Sequence, residues 1–329
     1  MENGDLTSKI PELSVVIVIV SDAKHLEGCL TSLLQQVSAP ETEIIVPYDC
    51  RDSDILLLEP QFPKVQFHPV ENLFGPIRKY HEHLDKMRAI GIDLAQGKFV
   101  ALLEDHDRPD KNWAMNVIKA HKDSHAGIGG AVENEVDRLL NWSIYFCDFG
   151  RYQKPFKAGQ SNYITDVNAS YKWSALENIR DIWQDGFHEP FVNSALIAQG
   201  ETLWLSPEIV VYQHRENLSL VAAIRERYVW GRYYAGNRTK EITLSKRLLY
   251  LSLFPILPLL LMAKKTRDML IKKRLIGAFL LAFPLTTLLT LSWSFGEFMG
   301  YLSAKPSSFR DSMNDKNTFI QKEKNEYDS

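Results

Sequence analysis

Cysteine is scarce in this chain: Cys29, Cys50 and Cys147 are the only three among 329 residues. They are widely spaced and odd in number, so they form neither a disulfide framework nor a zinc pattern, and a reducing compartment is expected. An excess of positive charge is also missing. Lys and Arg total 38 against 41 Asp and Glu, a net charge of -3, which excludes a general nucleic-acid binder. No G-x-G-x-x-G follows the first apolar run, and no G-x-x-x-x-G-K-[ST] occurs anywhere. A dinucleotide-binding Rossmann domain and a P-loop nucleotide hydrolase are therefore both disfavoured. The first residues are polar and acidic, without the basic and apolar regions of a signal peptide.

Two stretches near the C-terminus lack charge altogether, residues 248–263 and 275–296. A spanning helix needs roughly 20 mostly apolar residues. The second run meets that length. The first is slightly short and holds Pro255 and Pro258, so it either spans with a kink or lies in the interface. A pair of buried core helices is the soluble alternative. Between the runs, residues 264–274 carry six basic residues and one acidic one. The positive-inside rule keeps such a loop in the cytoplasm. The front of the chain, lacking a signal peptide, is expected there too, and a two-span hairpin cannot satisfy both. Either the first run is re-entrant and only the second crosses, or both lie on the inner leaflet with the basic loop on anionic headgroups. The expected location is the inner cell membrane, with the front domain facing the cytoplasm.

What remains is ordinary globular composition, 45% hydrophobic and 24% charged. Residues 13–20 are an apolar, β-branched run suited to a central parallel strand. Leu26, Leu30, Leu33 and Leu34 then repeat at helical spacing over 26–36. Strands are predicted at 43–47, 65–67, 99–103 and 128–132, and helices at 83–95 and 113–121. This βαβα order implies an α/β fold, a mostly parallel sheet with helices on both faces. The division expected is a tail at 1–12, a front domain at 13–246, membrane-associated helices at 247–304 and a polar, disordered tail at 305–329.

The strand at 99–103 ends in Glu104, Asp105, His106 and Asp107, three acids and a histidine. Ligands of open α/β sheets bind outside the carboxyl ends of strands. Carboxylates with an imidazole at such a place suit a divalent cation set against a phosphate. The plain alternative is an acidic turn in which Asp110 or Asn112 caps the next helix.

Taken in order, several segments resemble the family-2 glycosyltransferases of the GT-A fold. They are CLTSLLQQ (29–36), EIIVPYDC (43–50), RAIGIDLAQGKFVALLEDH (88–106), GGAVEN (129–134), NASYKWSAL (168–176), DGFHEPFV (185–192) and SPEIVVYQH (206–214). The likeness covers about residues 13–238. It implies a nucleotide-sugar donor and a divalent cation, Mn²⁺ or Mg²⁺, that offsets charge developing on the diphosphate. Counting back from Pro109 and Trp113 sets the family's Asp-x-Asp on Glu104-Asp105-His106. The alternative register, Asp105 and Asp107, keeps two carboxylates. By the same likeness, His214 completes the metal site. A lone histidine is otherwise a structural residue.

Asp49 stands where the resemblance implies a contact to the nucleotide base, with Tyr48 replacing its usual aspartate partner. Arg88 is implied on the diphosphate, or else is a solvated helix residue, and Asp105 belongs with the donor. Val18 and Ser21 occupy positions where the family has Pro and Asn, which leaves the base open. The implied catalytic base is Glu189, with Asp185 as the fallback. Pro190 replaces the second acid of that pair, and Glu189 beside it also reads as a helix start. Around Arg225, Arg227, Arg232 and Arg238 the glutamine of a processive synthase is lost, Ile224 standing in its place. Single addition to a lipid-linked or glycan acceptor, with inversion, is the expected reaction. The partners are then nucleotide sugar, acceptor and membrane lipid, and no nucleic acid. A degenerate membrane scaffold that binds nucleotide or glycan without turnover, and a soluble metal-dependent nucleotidyltransferase, are the alternatives.

Overall fold

The computed structural model describes residues 10–36, 41–71, 73, 81–216, 218–239 and 242–304. The expected tail at 305–329 and most of that at 1–12 lie outside the described residues. Two compact units divide the chain, Met1–Glu135 with Tyr152–Arg215, and Val136–Arg151 with Glu216–Ser329.

In the first unit, β1 (Leu13–Val18) is buried at every residue, as an apolar β-branched run must be when both sheet faces are covered. Next comes α1 (Ala23–Leu34), capped by Asp22, whose carboxylate accepts from the His25 N–H. The alternation continues through β2 (Thr42–Asp49), α2 (Ser53–Leu58), β3 (Val65–Val70), α3 (His81–Leu94), β4 (Phe99–Glu104), β5 (Asp107–Pro109), α4 (Trp113–Ala120) and β6 (Gly127–Asn134). After α5 (Leu139–Asp148), which belongs to the other unit, come β7 (Gly159–Ser161), β8 (Ala169–Lys172), α6 (Trp173–Glu177), α7 (Arg180–Trp183), α8 (Glu189–Ala198) and β9 (Leu203–Gln213).

One nine-stranded sheet results, in the order β3-β2-β1-β4-β8-β6-β9-β5, with β7 also on β9. The first four strands are parallel neighbours, and β6 pairs β9 in parallel. β8 runs antiparallel to both β4 and β6, and β5 and β7 run antiparallel to β9. The expectation of a mostly parallel α/β sheet thus holds, and the predicted elements stand within a few residues of their places. A single core joins Val16, Ile45, Val100 and Leu102 of the strands to Ala89 and Ile92 of α3 and to Leu176, Trp183, Val192 and Leu196 beyond β8.

The β6–β9 pairing slips between Gly130 and Ala131. Asn168 fills that irregularity. Its amide nitrogen donates to the Ala131 and Ile209 carbonyls at 2.9 and 3.1 Å, and its oxygen accepts from Trp113 Nε1 at 2.9 Å. A Cβ on Gly130 would lie 2.1 Å from the Asn168 amide nitrogen, so only glycine lets this side chain pass.

The second unit is helical: α5, α9 (Leu220–Arg238), α10 (Leu244–Ser252), α11 (Leu257–Lys272) and α12 (Ile276–Ser303). The first uncharged run is broken at residues 253–256, and α10 and α11 meet at 75°. Pro258 can start α11 because its missing N–H falls in the first turn. The second run is one continuous helix of 28 residues. Along its buried side Thr286, Thr290 and Ser294 donate to carbonyls four residues back. Gly231 of α9 and Gly296 and Gly300 of α12 leave no space for a Cβ against the facing backbone, so these two helices meet at main-chain distance.

Candidate active site at the carboxyl ends of the parallel strands

Parallel pairing sets the last residues of β1, β2 and β4 along one edge, with Val18 opposite Glu104 and Asp49 at the end of β2. The chain reverses after Glu104 and pairs β5 with the end of β9, which returns Gln213 to the acidic cluster. The local residues are unusually buried for their charge: Asp105 and Asp107 are fully buried, and His106 nearly so.

Each of these groups has a distinct task. Asp105 Oδ2 accepts from the backbone N–H groups of Ser21 and Asp22 at 2.7 and 3.0 Å, fastening the loop after β1. Asp107 accepts from the Glu104 N–H at 2.8 Å and from the Gln213 amide. Both of its oxygens hold the reversal between β4 and β5. His106 stands between Asp105 Oδ1 at 3.2 Å, Glu104 Oε2 at 3.2 Å and Gln213 Oε1 at 3.0 Å. Glu104 Oε1 is 3.0 Å from Arg88 Nη2.

The charges follow from these contacts. Burial works to lower the His106 imidazole, but hydrogen bonds to Asp105 and Glu104 outweigh it and push it up to about 10. Burial works to raise the Glu104 carboxyl, yet the hydrogen bond and charge of His106, with Arg88 and Arg215, hold it at about 2. Asp107 is pushed up to about 8, chiefly by burial.

Arg88 is buried, which removes the reading of a solvated helix residue. Its Nη2 also meets Asp166 Oδ2 at 2.9 Å, and its Nη1 meets Asp85 Oδ1 at 3.4 Å. Asp166 in turn donates its backbone N–H to Glu189 Oε2 at 3.1 Å. Glu189 opens α8, after His188, whose Nδ1 lies 2.8 Å from Asp85 Oδ2. Burial, then the Asp166 carboxylate, pushes the Glu189 carboxyl well above the usual range. Asp185 is exposed on the turn ahead of α8, and among the described contacts nothing draws it into this group.

Asp49 lies in a cleft lined by Ile19, Pro47, Tyr48, Asp52, Leu73, His83, Leu84 and Met87. Its Oδ1 accepts from Arg51 Nε at 2.8 Å and its Oδ2 from Arg51 Nη2. The Arg51 hydrogen bond holds the Asp49 carboxyl below its ordinary range. His214 donates its backbone N–H to the His106 carbonyl at 2.8 Å, while its half-buried ring sets Nδ1 2.9 Å from Glu135 Oε2.

The structure therefore gathers Glu104, His106 and Arg88 with Asp166 and Glu189. It gives Asp105 and Asp107 to the framework. Asp166 and Gln213 carry no signal in the local sequence pattern. Each reaches the site from a distant element.

Among the described residues, no three His, Cys, Asp or Glu side chains converge as a metal site. The pair Glu104 Oε2 and His106 Nε2 nevertheless has a spacing that two ligands of one cation adopt at bond lengths of about 2.1 Å. A Mg²⁺-type site supplies one or two side chains and takes its other ligands from water and substrate phosphate. The pair fits that use, once His106 gives up its proton.

The model of the family described as "Glycosyl transferase family 2" matches residues 14–180, more than half of the chain. No curated protein matches it. Solved structures similar to this chain include two nucleotide-sugar complexes. Mannosyltransferase PcManGT from Pyrobaculum calidifontis, in complex with GDP-Man and Mn²⁺, has a TM-score of 0.49 at 15% identity, covering 90% of this chain and 86% of that one. S. aureus TarS 1-349, in complex with UDP-GlcNAc, has a TM-score of 0.49 at 13% identity, covering 89% and 92%.

Proposed function

The chain belongs to glycosyl transferase family 2, and from that premise we propose a metal-assisted, inverting transfer of one sugar to a lipid-linked or glycan acceptor. The family's reaction moves the sugar from a nucleotide-sugar donor. The observation that carries the reading is the juxtaposition of Glu104 and His106 at the end of β4, one Arg88 nitrogen away from Asp166.

In this reading Glu104 and His106 hold a Mn²⁺ or Mg²⁺ ion, with His214 as the nearby residue on the returning strand. A cation held by Glu104 and His106 would supply positive charge to offset the negative charge on a diphosphate leaving group. The side chains of the chain do the remaining work. Asp105 anchors the β1–α1 loop against which the donor lies. Asp49 and its cleft receive the nucleotide base, a carboxylate being able to accept from a ring N–H. Arg88 fixes Glu104 from a buried position, so the donor side is preorganised and no rotamer has to be frozen on binding. Glu189 and Asp166 mark the acceptor side, where a carboxylate removes the proton of the attacking hydroxyl.

The second unit supports a membrane location. α12 is long and apolar enough to cross a membrane. We read it as the anchor, with the sheet domain facing the cytoplasm and the broken α10–α11 pair lying along the inner leaflet. Its basic residues then meet anionic headgroups.

Cation-dependent donor binding tests the site. Isothermal titration of UDP- and GDP-sugars with and without Mn²⁺ should show one donor whose affinity His106→Ala lowers at least tenfold, the order of loss typical for a metal's surroundings. Unchanged binding in that variant would contradict a cation held by Glu104 and His106.

A further inference from the structure

Two carboxyl groups meet on the acceptor side, and they are unequal. Asp166 lies in the turn ahead of β8, and its Oδ2 is 2.9 Å from Arg88 Nη2. Among the described ion pairs, none joins Glu189 to a cation. Glu189 Oε2 accepts the Asp166 N–H at 3.1 Å, and its Oε1 is buried without a hydrogen-bond partner. Burial, then the neighbouring Asp166 carboxyl, raises the proton affinity of Glu189.

Asp166 is also better placed for a reacting hydroxyl. Its side chain is partly open, at 17% exposure, whereas Arg88 beneath it is at 4%. The Arg88 nitrogen that it touches also touches Glu104, which sets Asp166 next to the donor side. Its turn is rigid, because Asn168, two residues on and 1% exposed, is tied by three hydrogen bonds to Trp113, Ala131 and Ile209. A base carried by such an anchored turn keeps its aim.

We propose that Asp166 is the catalytic base, taking the proton of the acceptor hydroxyl, and that Glu189 stands beside it as a protonated neighbour that positions it. The assignment rests on the transfer reaction proposed above. In the step, the acceptor O–H proton passes to a carboxylate oxygen of Asp166. The acceptor oxygen forms its bond to the anomeric carbon. The bond from that carbon to the diphosphate oxygen breaks, and its electron pair leaves with the nucleoside diphosphate.

The test is release of nucleoside diphosphate from a panel of UDP- and GDP-sugars by the full-length protein in detergent, with water as the acceptor. Asp166→Asn should lower kcat by on the order of 10²–10⁴-fold, the usual contribution of a general base, with the Kd for UDP or GDP unchanged. Glu189→Gln keeps the shape and hydrogen-bonding of a protonated Glu and should stay within about tenfold of wild type. Asp166→Glu restores a carboxylate and should regain part of the loss. Glu189→Gln as inactive as expected for Asp166→Asn, with Asp166→Asn still active, would overturn the assignment. So would an Asp166→Asn enzyme that loses nucleotide binding along with kcat, since that marks a structural role only. Silence of the wild type across the whole panel, with acceptor glycans and lipids added as well as with water, would sink the transfer reading itself.

Discussion

Glu104 is a half-buried carboxyl and Glu189 a buried one of the same unit, and their surroundings drive them in opposite directions. Glu104 is clasped by His106 and Arg88 and stays ionised. Glu189 faces burial and a second carboxylate, and its affinity for a proton rises. This difference has a consequence for stability that does not depend on activity. A group whose folded pKa lies above its unfolded value contributes stability that is complete below the unfolded pKa and is lost as pH rises through the folded one. For Glu189 the window opens near pH 4.3, the ordinary glutamate value. The glutamine variant has no such loss. Wild type should therefore match Glu189→Gln at acid pH and fall behind it as pH rises, by up to about 1.4 kcal/mol per unit. Urea unfolding at a series of pH values measures this, and a pH-independent difference would contradict it. The glutamate itself was legible in the sequence through its place before Pro190. Its partner was not. Asp166 lies 23 residues upstream, in a turn with no local motif, and only the folding of β8 between β4 and β6 brings the two together.

At the scale of elements, the runs that sequence reads well are those whose pattern is purely local. β1, β2 and β4 declare themselves because a strand covered on both faces must be apolar throughout. α1 and α3 declare themselves by helical spacing of their leucines and isoleucines. β5 is three residues long, and β8 four, and their antiparallel direction depends on partners far along the chain. The uncharged runs divide in the same way. The first breaks at residues 253–256, beside the prolines that the sequence already showed, and the second is unbroken. α12 is about 42 Å long at 1.5 Å per residue, more than the roughly 30 Å of a bilayer core. Leu280, Leu281, Leu288, Leu291 and Phe295 are exposed on it, and lipid is the solvent that suits such a face. The full-length protein should pellet with membranes and stay there through alkaline carbonate washing. Recovery from the soluble fraction would contradict the anchor.

As a whole molecule, the chain builds its candidate site within one unit and visits the other twice, at α5 and again from α9 onward. Within the helical unit that second visit is knitted by Arg227 of α9, buried and paired with Asp148 of α5. Arg238 is likewise engaged there, lying over the rings of Tyr234 and Tyr250. Two of the four arginines that sequence offered for a phosphate are thus committed to packing. No periodicity could have revealed Asp148 or Tyr250, which lie on other helices, whereas Tyr234 stands one turn back on α9 itself. In the sheet unit, by contrast, the position of the site was legible. Acids at the end of an apolar strand mark the ligand edge of a parallel sheet, and Glu104 and His106 stand there.

The central claim is that this edge performs sugar transfer. Nucleoside diphosphate release by the purified full-length protein, screened over UDP- and GDP-sugars with and without Mn²⁺, tests it most directly. The account predicts release from one donor, dependent on the cation and reduced on the order of 100-fold or more by Glu104→Gln. Tight nucleotide-sugar binding with no release from any donor, with or without acceptor glycans and lipids, would contradict it and leave a binding scaffold in its place.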